Sequence, residues 1–186
     1  MTLRAFFTLV TAAFLVPRFA VAQTQRAAPD RSPADERANR LSHTVVRLAI
    51  LGAYRSLYDL YVFAPGAEAS LGREGEWAGG LVNVYGLHGS TVAGLPVTQF
   101  GITGTFEAHF GGLRVGAGGG LTNFSIVRAT NGQRLSSTGF ENVVRLGYDF
   151  SDHGPYILSQ FSVAFYKGGP DFAIVSGPTL YVGWRF

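Results

Sequence analysis

The sequence predicts an all-β protein, a membrane-spanning antiparallel up-and-down β-barrel of eight strands. Three observations predict this fold. The 186-residue chain contains 25 Gly and 25 Phe, Tyr and Trp residues, but only 15% of it is charged, against about 25% in soluble domains. Long segments alternate with a period of two, which is the period of a β-strand. One face of these segments is bulky and apolar, and the other carries charges of both signs, as expected between lipid and a narrow lumen.

Residues 1–22 have the features of a secretory signal peptide. Arg4 supplies a positive charge, residues 5–16 form an uncharged run, and residues 20–22 (AVA) form a small-x-small pattern that predicts cleavage after Ala22. A buried N-terminal helix or a membrane anchor is the alternative. Pro17 and Arg18, however, end the run before it reaches the roughly 20 apolar residues that a spanning helix needs.

Composition excludes several classes of function. Removal of residues 1–22 removes two Arg and no acidic residue, so the net charge falls from +3 to +1, and no basic patch remains to suggest nucleic acid as a partner. The chain has no Cys, which excludes a disulfide framework, a thiolate zinc site and a Cys nucleophile. No metal site or cofactor is expected.

Residues 23–42 are predicted to be a flexible periplasmic leader, because this stretch lacks aromatic residues and is rich in Ala, Arg, Asp and Pro. The transmembrane barrel domain is then residues 43–186. Its strands are predicted at 44–53, 55–64, 77–88, 96–110, 113–128, 138–150, 156–167 and 172–186. The first two are the least regular, and residues 44–61 also fit an amphipathic helix. Eight strands satisfy the even number and the minimum size of outer-membrane barrels.

The connections are predicted to alternate in length. Gly111-Gly112 is a two-residue hairpin signal, and residues 151–155 (SDHGP) form a slightly longer turn. Residues 89–95, 129–136 and 167–171 are predicted as longer or more polar connections. Short periplasmic turns that alternate with longer outer loops are typical of outer-membrane barrels. Within 113–128 the alternation changes parity, which predicts a bulge at residues 118–120 (GGG).

The charged faces of the strands are predicted to line the lumen, because a soluble barrel would carry its charges on the outside. A soluble lipocalin-like barrel is the alternative. Eight strands enclose a space that side chains just fill, so the charges are expected to pair as a plug, with a narrow proton or ion path as the rival interpretation. The predicted lumen network comprises Glu107, His109, Arg114, Glu141, Arg145, Asp149 and Arg185. The charge run 73–76 (REGE) is predicted to be a solvated loop.

The signal peptide, the alternating strands and the C-terminal sequence LYVGWRF together resemble small outer-membrane β-barrel proteins of Gram-negative bacteria. The resemblance implies that Leu180, Val182, Trp184 and Phe186 are the recognition signal for the barrel-assembly machinery. It also implies outer-membrane localisation, with lipid and lipopolysaccharide as partners. A structural, surface-interaction or limited-permeation role without catalysis is expected, although such barrels also include enzymes.

His88 and Ser90 are the candidate catalytic pair. Residues two apart on a strand share a face, so His88 is placed to deprotonate the Ser90 hydroxyl. Outer-membrane lipid A deacylases carry a similar His-x-Ser pair, and a deacylase-like hydrolase is therefore the alternative function. Their motif continues with Asn, whereas Thr91 follows here, and the next carboxylate is as distant as Glu107.

Overall fold

A computed structural model describes residues 42–57, 60–127, 131–168 and 171–186. These residues form one closed barrel of eight antiparallel strands, each paired with its sequence neighbours, and β1 pairs with β8 to close it. The predicted fold class and strand count are confirmed. The strands are β1 (Ser42–Leu57), β2 (Leu60–Gly75), β3 (Ala78–Thr91), β4 (Pro96–Phe110), β5 (Leu113–Val127), β6 (Arg134–Asp149), β7 (Gly154–Gly168) and β8 (Asp171–Arg185). The predicted signal peptide and most of the predicted leader lie outside the described residues.

The first hairpin differs from its prediction. β1 continues to Leu57 and β2 begins at Leu60, with the two residues paired across the hairpin, so the predicted boundary at residue 54 is wrong. Tyr54 lies well inside β1 and stacks on Tyr61 of β2, with ring centroids 5.7 Å apart. The helical alternative for residues 44–61 is excluded for every described residue of that stretch. Within the described ranges, no helix is long and apolar enough to cross a membrane.

We call the two ends of the barrel the turn end and the loop end. The turn end carries the β2–β3, β4–β5 and β6–β7 connections, and the loop end carries the other four. Gly111, with a φ of 61°, makes the predicted tight β4–β5 turn. The predicted difference in length is small, however. Only residues 169 and 170 separate β7 from β8, so the expectation of a longer connection is wrong at 167–171, although the stretch is polar.

β5 contains no bulge. It keeps one continuous register with β4 and with β6 along its whole length, so the predicted bulge at residues 118–120 is wrong. The alternation therefore continues, and Phe124 points into the barrel, where its ring packs against Tyr166. The change of parity in the sequence arises because Phe124 and Ile126 are apolar residues at inward positions near the loop end.

Large apolar side chains cover the outside of the barrel. Ile50 is 72% exposed, and Phe106 and Leu121 are each 64% exposed. Apolar side chains, among them Val62, Leu87 and Val97, are buried on the inside toward the loop end, together with polar residues such as Arg55 and Gln99, whereas most inward positions in the middle and at the turn end are polar or charged. This distribution is the reverse of a soluble barrel, whose charges face water.

Candidate functional site

The turn end of the lumen is filled by a cluster of ionised side chains centred on Glu74. The Glu74 carboxylate is fully buried and accepts bonds from three guanidinium groups. It pairs with Arg47, with Arg114 at 2.8 and 3.2 Å, and with Arg185 at 2.6 Å. The prediction that residues 73–76 form a solvated loop is therefore wrong for Glu74: β2 continues to Gly75, and the alternation turns Glu74 inward. We call the ionic cluster the set Arg47, Glu74, Glu107, His109, Arg114, Asp149 and Arg185.

Two further carboxylates complete the ionic cluster. Asp149 lies 2.5 Å from Arg114 Nη2 and 3.1 Å from Arg185 Nη1. Glu107 Oε2 accepts from Arg47 Nη1 at 2.9 Å. Each Arg of the cluster thus contacts at least two carboxylates, which is the arrangement that compensates for removing charges from water.

Two histidines accept hydrogen bonds at the edge of the ionic cluster. His109 Nε2 lies 2.8 Å from Arg114 Nη1, and His43 Nε2 lies 3.0 Å from Arg185 Nη2. A guanidinium group can only donate, so Nε2 of each histidine is the acceptor in its hydrogen bond and carries no proton. His109 therefore serves here as a neutral partner for Arg114.

Arg145 organises the middle of the lumen. Its Nη2 donates to Glu68 at 2.7 Å, its Nη1 to Asn83 at 3.0 Å and its Nε to Gln160 at 2.7 Å. Its guanidinium also lies over the ring of Tyr181, 5.5 Å from the centroid, within the range of a cation–π interaction. The side chain therefore connects β6 to β2, β3, β7 and β8 across the interior.

A third group of polar side chains lies nearer the loop end. Tyr85 donates to Glu141 and accepts from Gln99 Nε2 at 3.1 Å. Gln99 in turn accepts from Arg55 Nε at 3.2 Å. Arg55 and Glu141 are thus joined through two neutral side chains, and Tyr166 adds a further bond to Gln99 at 3.2 Å.

The charges buried inside the barrel balance. Among the described residues, five Arg and five acidic side chains are buried. The acidic residues are Glu68, Glu74, Glu107, Glu141 and Asp149, and the cations are Arg47, Arg55, Arg114, Arg145 and Arg185. A lumen with no net charge does not favour ions of one sign, and the cross-strand bonds occupy the space through which a solute would pass. This arrangement favours a plug over an ion path.

Glu74, Glu107 and His109 place ligand atoms within 4.8 Å of one another, which is close enough to hold a metal ion. These side chains are already paired with guanidinium groups, however. Three guanidinium groups surround Glu74, and His109 accepts from one of them. A cation at this point would have to displace an Arg from its carboxylates, so the donor set does not fit a metal.

His88 and Ser90 both lie exposed on the outward side of β3 near the loop end. His88 Nδ1 lies 3.2 Å from the hydroxyl of Thr98 on β4. Among the described residues, no hydrogen bond joins His88 to Ser90 and no carboxylate orients the imidazole. The structure shows neither the nucleophile–base contact nor the base–carboxylate contact of a hydrolase site.

The C-terminal residues end the last strand on the outside of the barrel. Leu180, Val182 and Trp184 point outward and are half exposed or more. Phe186 exchanges backbone hydrogen bonds with Val46 of β1, with N···O distances of 2.9 and 3.4 Å. The chain terminus therefore lies at the seam where β8 closes the barrel on β1.

Four charged lumen residues were missed by sequence reasoning: Arg47, Arg55, Glu68 and Glu74. They lie in β1 and β2, where buried Ala, Val and Leu alternate with apolar outward residues. The contrast between the two faces is therefore weak there. The signal that identifies them is their common parity: each falls on the inward register once the hairpin is placed at residues 57–60.

No protein-family model and no curated protein sequence matches the chain. Solved structures do match. The N-terminal β-barrel domain of Pseudomonas aeruginosa OprF is 15% identical, with 78% of this chain and 99% of that chain covered and a TM-score of 0.54. Neisserial surface protein A (NspA) is 12% identical, with coverages of 77% and 97% and a TM-score of 0.54. Yersinia pestis Ail, the attachment invasion locus protein, is 11% identical, with coverages of 78% and 99% and a TM-score of 0.54. At these identities the likeness shows the fold, that of small outer-membrane barrels.

Proposed function

We propose that this protein is an outer-membrane barrel of a Gram-negative bacterium, with a closed interior and a structural or surface-interaction role. The outward apolar face around an ionic lumen is the observation that supports it. Strands of 14–16 residues tilted by about 40° rise about 35 Å, which exceeds the apolar band of about 25 Å in such barrels. The turn end then faces the periplasm and the loop end faces the cell surface.

The N-terminal and C-terminal segments have separate proposed roles in export and membrane assembly. Residues 1–22 would be removed after Ala22 during export, and residues 23–42 would remain as a periplasmic leader. The outward residues Leu180, Val182, Trp184 and Phe186 would be read by the barrel-assembly machinery before the β1–β8 seam closes. Outer-membrane lipid and lipopolysaccharide would be the resident partners of the finished barrel.

The surface role is assigned to the loop end. The first three residues of β6, Arg134 to Ser136, are exposed on both faces of the strand, so this part of β6 extends beyond the barrel wall. Arg134 and Lys167, on neighbouring strands, expose cationic side chains there. A structure of Ail was determined in complex with the heparin analogue sucrose octasulfate. By analogy, we propose that this part of the loop end, with Arg134 and Lys167, contacts anionic saccharides at the cell surface.

Two measurements test the closed barrel. Detergent-extracted protein is expected to show heat-modifiable migration on a gel, and full solubility without detergent contradicts the membrane assignment. In planar lipid bilayers the wild type is expected to give no conductance steps. The double variant Glu68→Ala with Arg145→Ala removes a charge pair without changing net charge, and is expected to produce them. Conductance steps of equal size in the wild type and the double variant contradict the closed interior.

The surface role has a separate test. Binding of reconstituted protein to immobilised heparin is expected to fall when Arg134 and Lys167 are both changed to Gln, because two exposed cations are lost. The matched control is Arg73→Gln, which removes a cation at the opposite end of the barrel. Equal binding by the wild type and the double variant contradicts the assignment of the loop end.

A further inference from the structure

A groove of about 640 Å³ runs over the outside of β2–β5 near the turn end. Leu71, Val82 and Phe106 border it, and each is more than half exposed. Gly80 and Gly104 form its floor, and a Cβ at either position would have no atom within 4 Å. The groove is therefore a recess in an outer surface that is otherwise covered by large side chains.

In a membrane, this recess has to be filled from the lipid phase. The bordering side chains lose dispersion contacts wherever no atom packs against them, and an acyl chain is the flexible apolar group available to supply those contacts. Gly80 is paired with Phe106, and Gly104 with Val82 one pleat farther from the turn end. The floor thus runs from the barrel rim toward the bilayer interior, in the direction of a lipid tail.

A cationic side chain lies at the rim end of the groove. Arg73 points outward, is exposed, and pairs in register with Gly80. Among the described residues it makes no salt bridge, in contrast to the buried guanidinium groups of the lumen. It is also the one ionised outward side chain on the described strands at the turn end. Trp77, 69% exposed, lies four residues farther along and marks the level of the membrane interface.

We propose that this groove binds one phospholipid of the periplasmic leaflet, with its phosphate on Arg73 and an acyl chain along Gly80 and Gly104. The inference rests on the proposed membrane location. Arg73 and the apolar groove match the two parts of such a lipid, since an Arg at the interface attracts phosphate. A second copy of the chain fits less well, because a two-fold axis through the groove would bring two Arg73 side chains together.

The experiment is native mass spectrometry of the protein released from nanodiscs of phosphatidylcholine with phosphatidylglycerol. The wild type is expected to retain one phosphatidylglycerol. Arg73→Gln is expected to lower the retained fraction about fivefold, the effect of one interfacial cation, and Arg73→Lys to preserve most of it. A Cβ at Gly80 or Gly104 meets no atom within 4 Å, so Gly80→Leu and Gly104→Leu are expected to fill the groove and to lower the retained fraction as well.

The matched control is Gly52→Leu, an outward position on β1 away from the groove where the nearest side-chain atoms lie at 3.6 Å. Equal retention by the wild type and all groove variants overturns the proposal, as does displacement by free inorganic phosphate or by lipid A at equal concentration. Heat-modifiable migration of the same samples separates the two hypotheses. Folded variants that lose lipid support the groove, whereas a protein that needs no detergent contradicts the membrane location.

Discussion

Glu74→Gln removes one buried negative charge from the centre of the ionic cluster. The cluster holds three Arg against Glu74, Glu107 and Asp149, and the variant leaves three cations against two anions. Breaking one partner out of a buried ion pair costs about 3–5 kcal/mol, because the remaining charge is uncompensated. Each Arg keeps at least one carboxylate after the change. We therefore expect a loss near the lower bound, about 3 kcal/mol.

The assay is urea unfolding of protein reconstituted in phosphatidylcholine vesicles, followed by the fluorescence of the two Trp residues. The matched control is Glu76→Gln, an exposed carboxylate two residues away, which is expected to change the free energy of unfolding by less than about 0.5 kcal/mol. Adding Arg185→Gln to Glu74→Gln restores the balance of charge and is expected to recover at least about 1 kcal/mol. If Glu74→Gln and Glu76→Gln change the free energy of unfolding equally, Glu74 lies in a solvated turn and is not the buried centre of the ionic cluster.

Two further changes test the hydrogen bonds nearer the loop end. Tyr85→Phe leaves the Glu141 carboxylate without a donor among the described residues, so it is expected to lower the free energy of unfolding by about 1–3 kcal/mol in the same assay. The control Tyr61→Phe, on the outside of the barrel, is expected to cost almost nothing. Equal losses in the two variants would contradict the role of the Tyr85 hydroxyl. Gly101→Val would place its Cβ against the Tyr85 ring and is expected to destabilise the protein by a similar amount. The control Gly104→Val lies on the outward face of the same strand, with open space around its Cβ, and is expected to be neutral. A neutral Gly101→Val would show that the Tyr85 ring is free to move.

The sequence determined the C-terminal half of the barrel better than its beginning. From Pro96 onward most outward residues are large and apolar and most inward residues are polar, so the period of two is plain. In β1 the inward positions include Val45, Ala49, Leu51 and Ala53, and apolar residues occupy both faces. Periodicity alone cannot place a strand whose two faces are alike, and the hairpin boundary was displaced for that reason.

The position of Glu74 was hidden by the composition around it. Residues 72–76 (GREGE) combine Gly with charges, which is the usual composition of an exposed turn. The register with β1 and β3 instead continues the alternation through this stretch, so Arg73 points outward and Glu74 inward. Only the tertiary partners Arg47, Arg114 and Arg185 make the inward position favourable, and a local pattern does not contain them.

The glycine content has a physical explanation in this barrel. On the inside, a Cβ at Gly79 would meet Glu74 Cγ at 2.6 Å, and one at Gly116 would meet Glu107 Cγ at 2.7 Å, so these glycines make room for the buried carboxylates. On the outside, Gly80 and Gly104 leave a groove that the protein's own side chains do not fill. Small residues inside allow the buried charges to pair across the lumen, which supports the proposed closed interior. The sites proposed for partners are therefore the loop end and the groove on the outer wall.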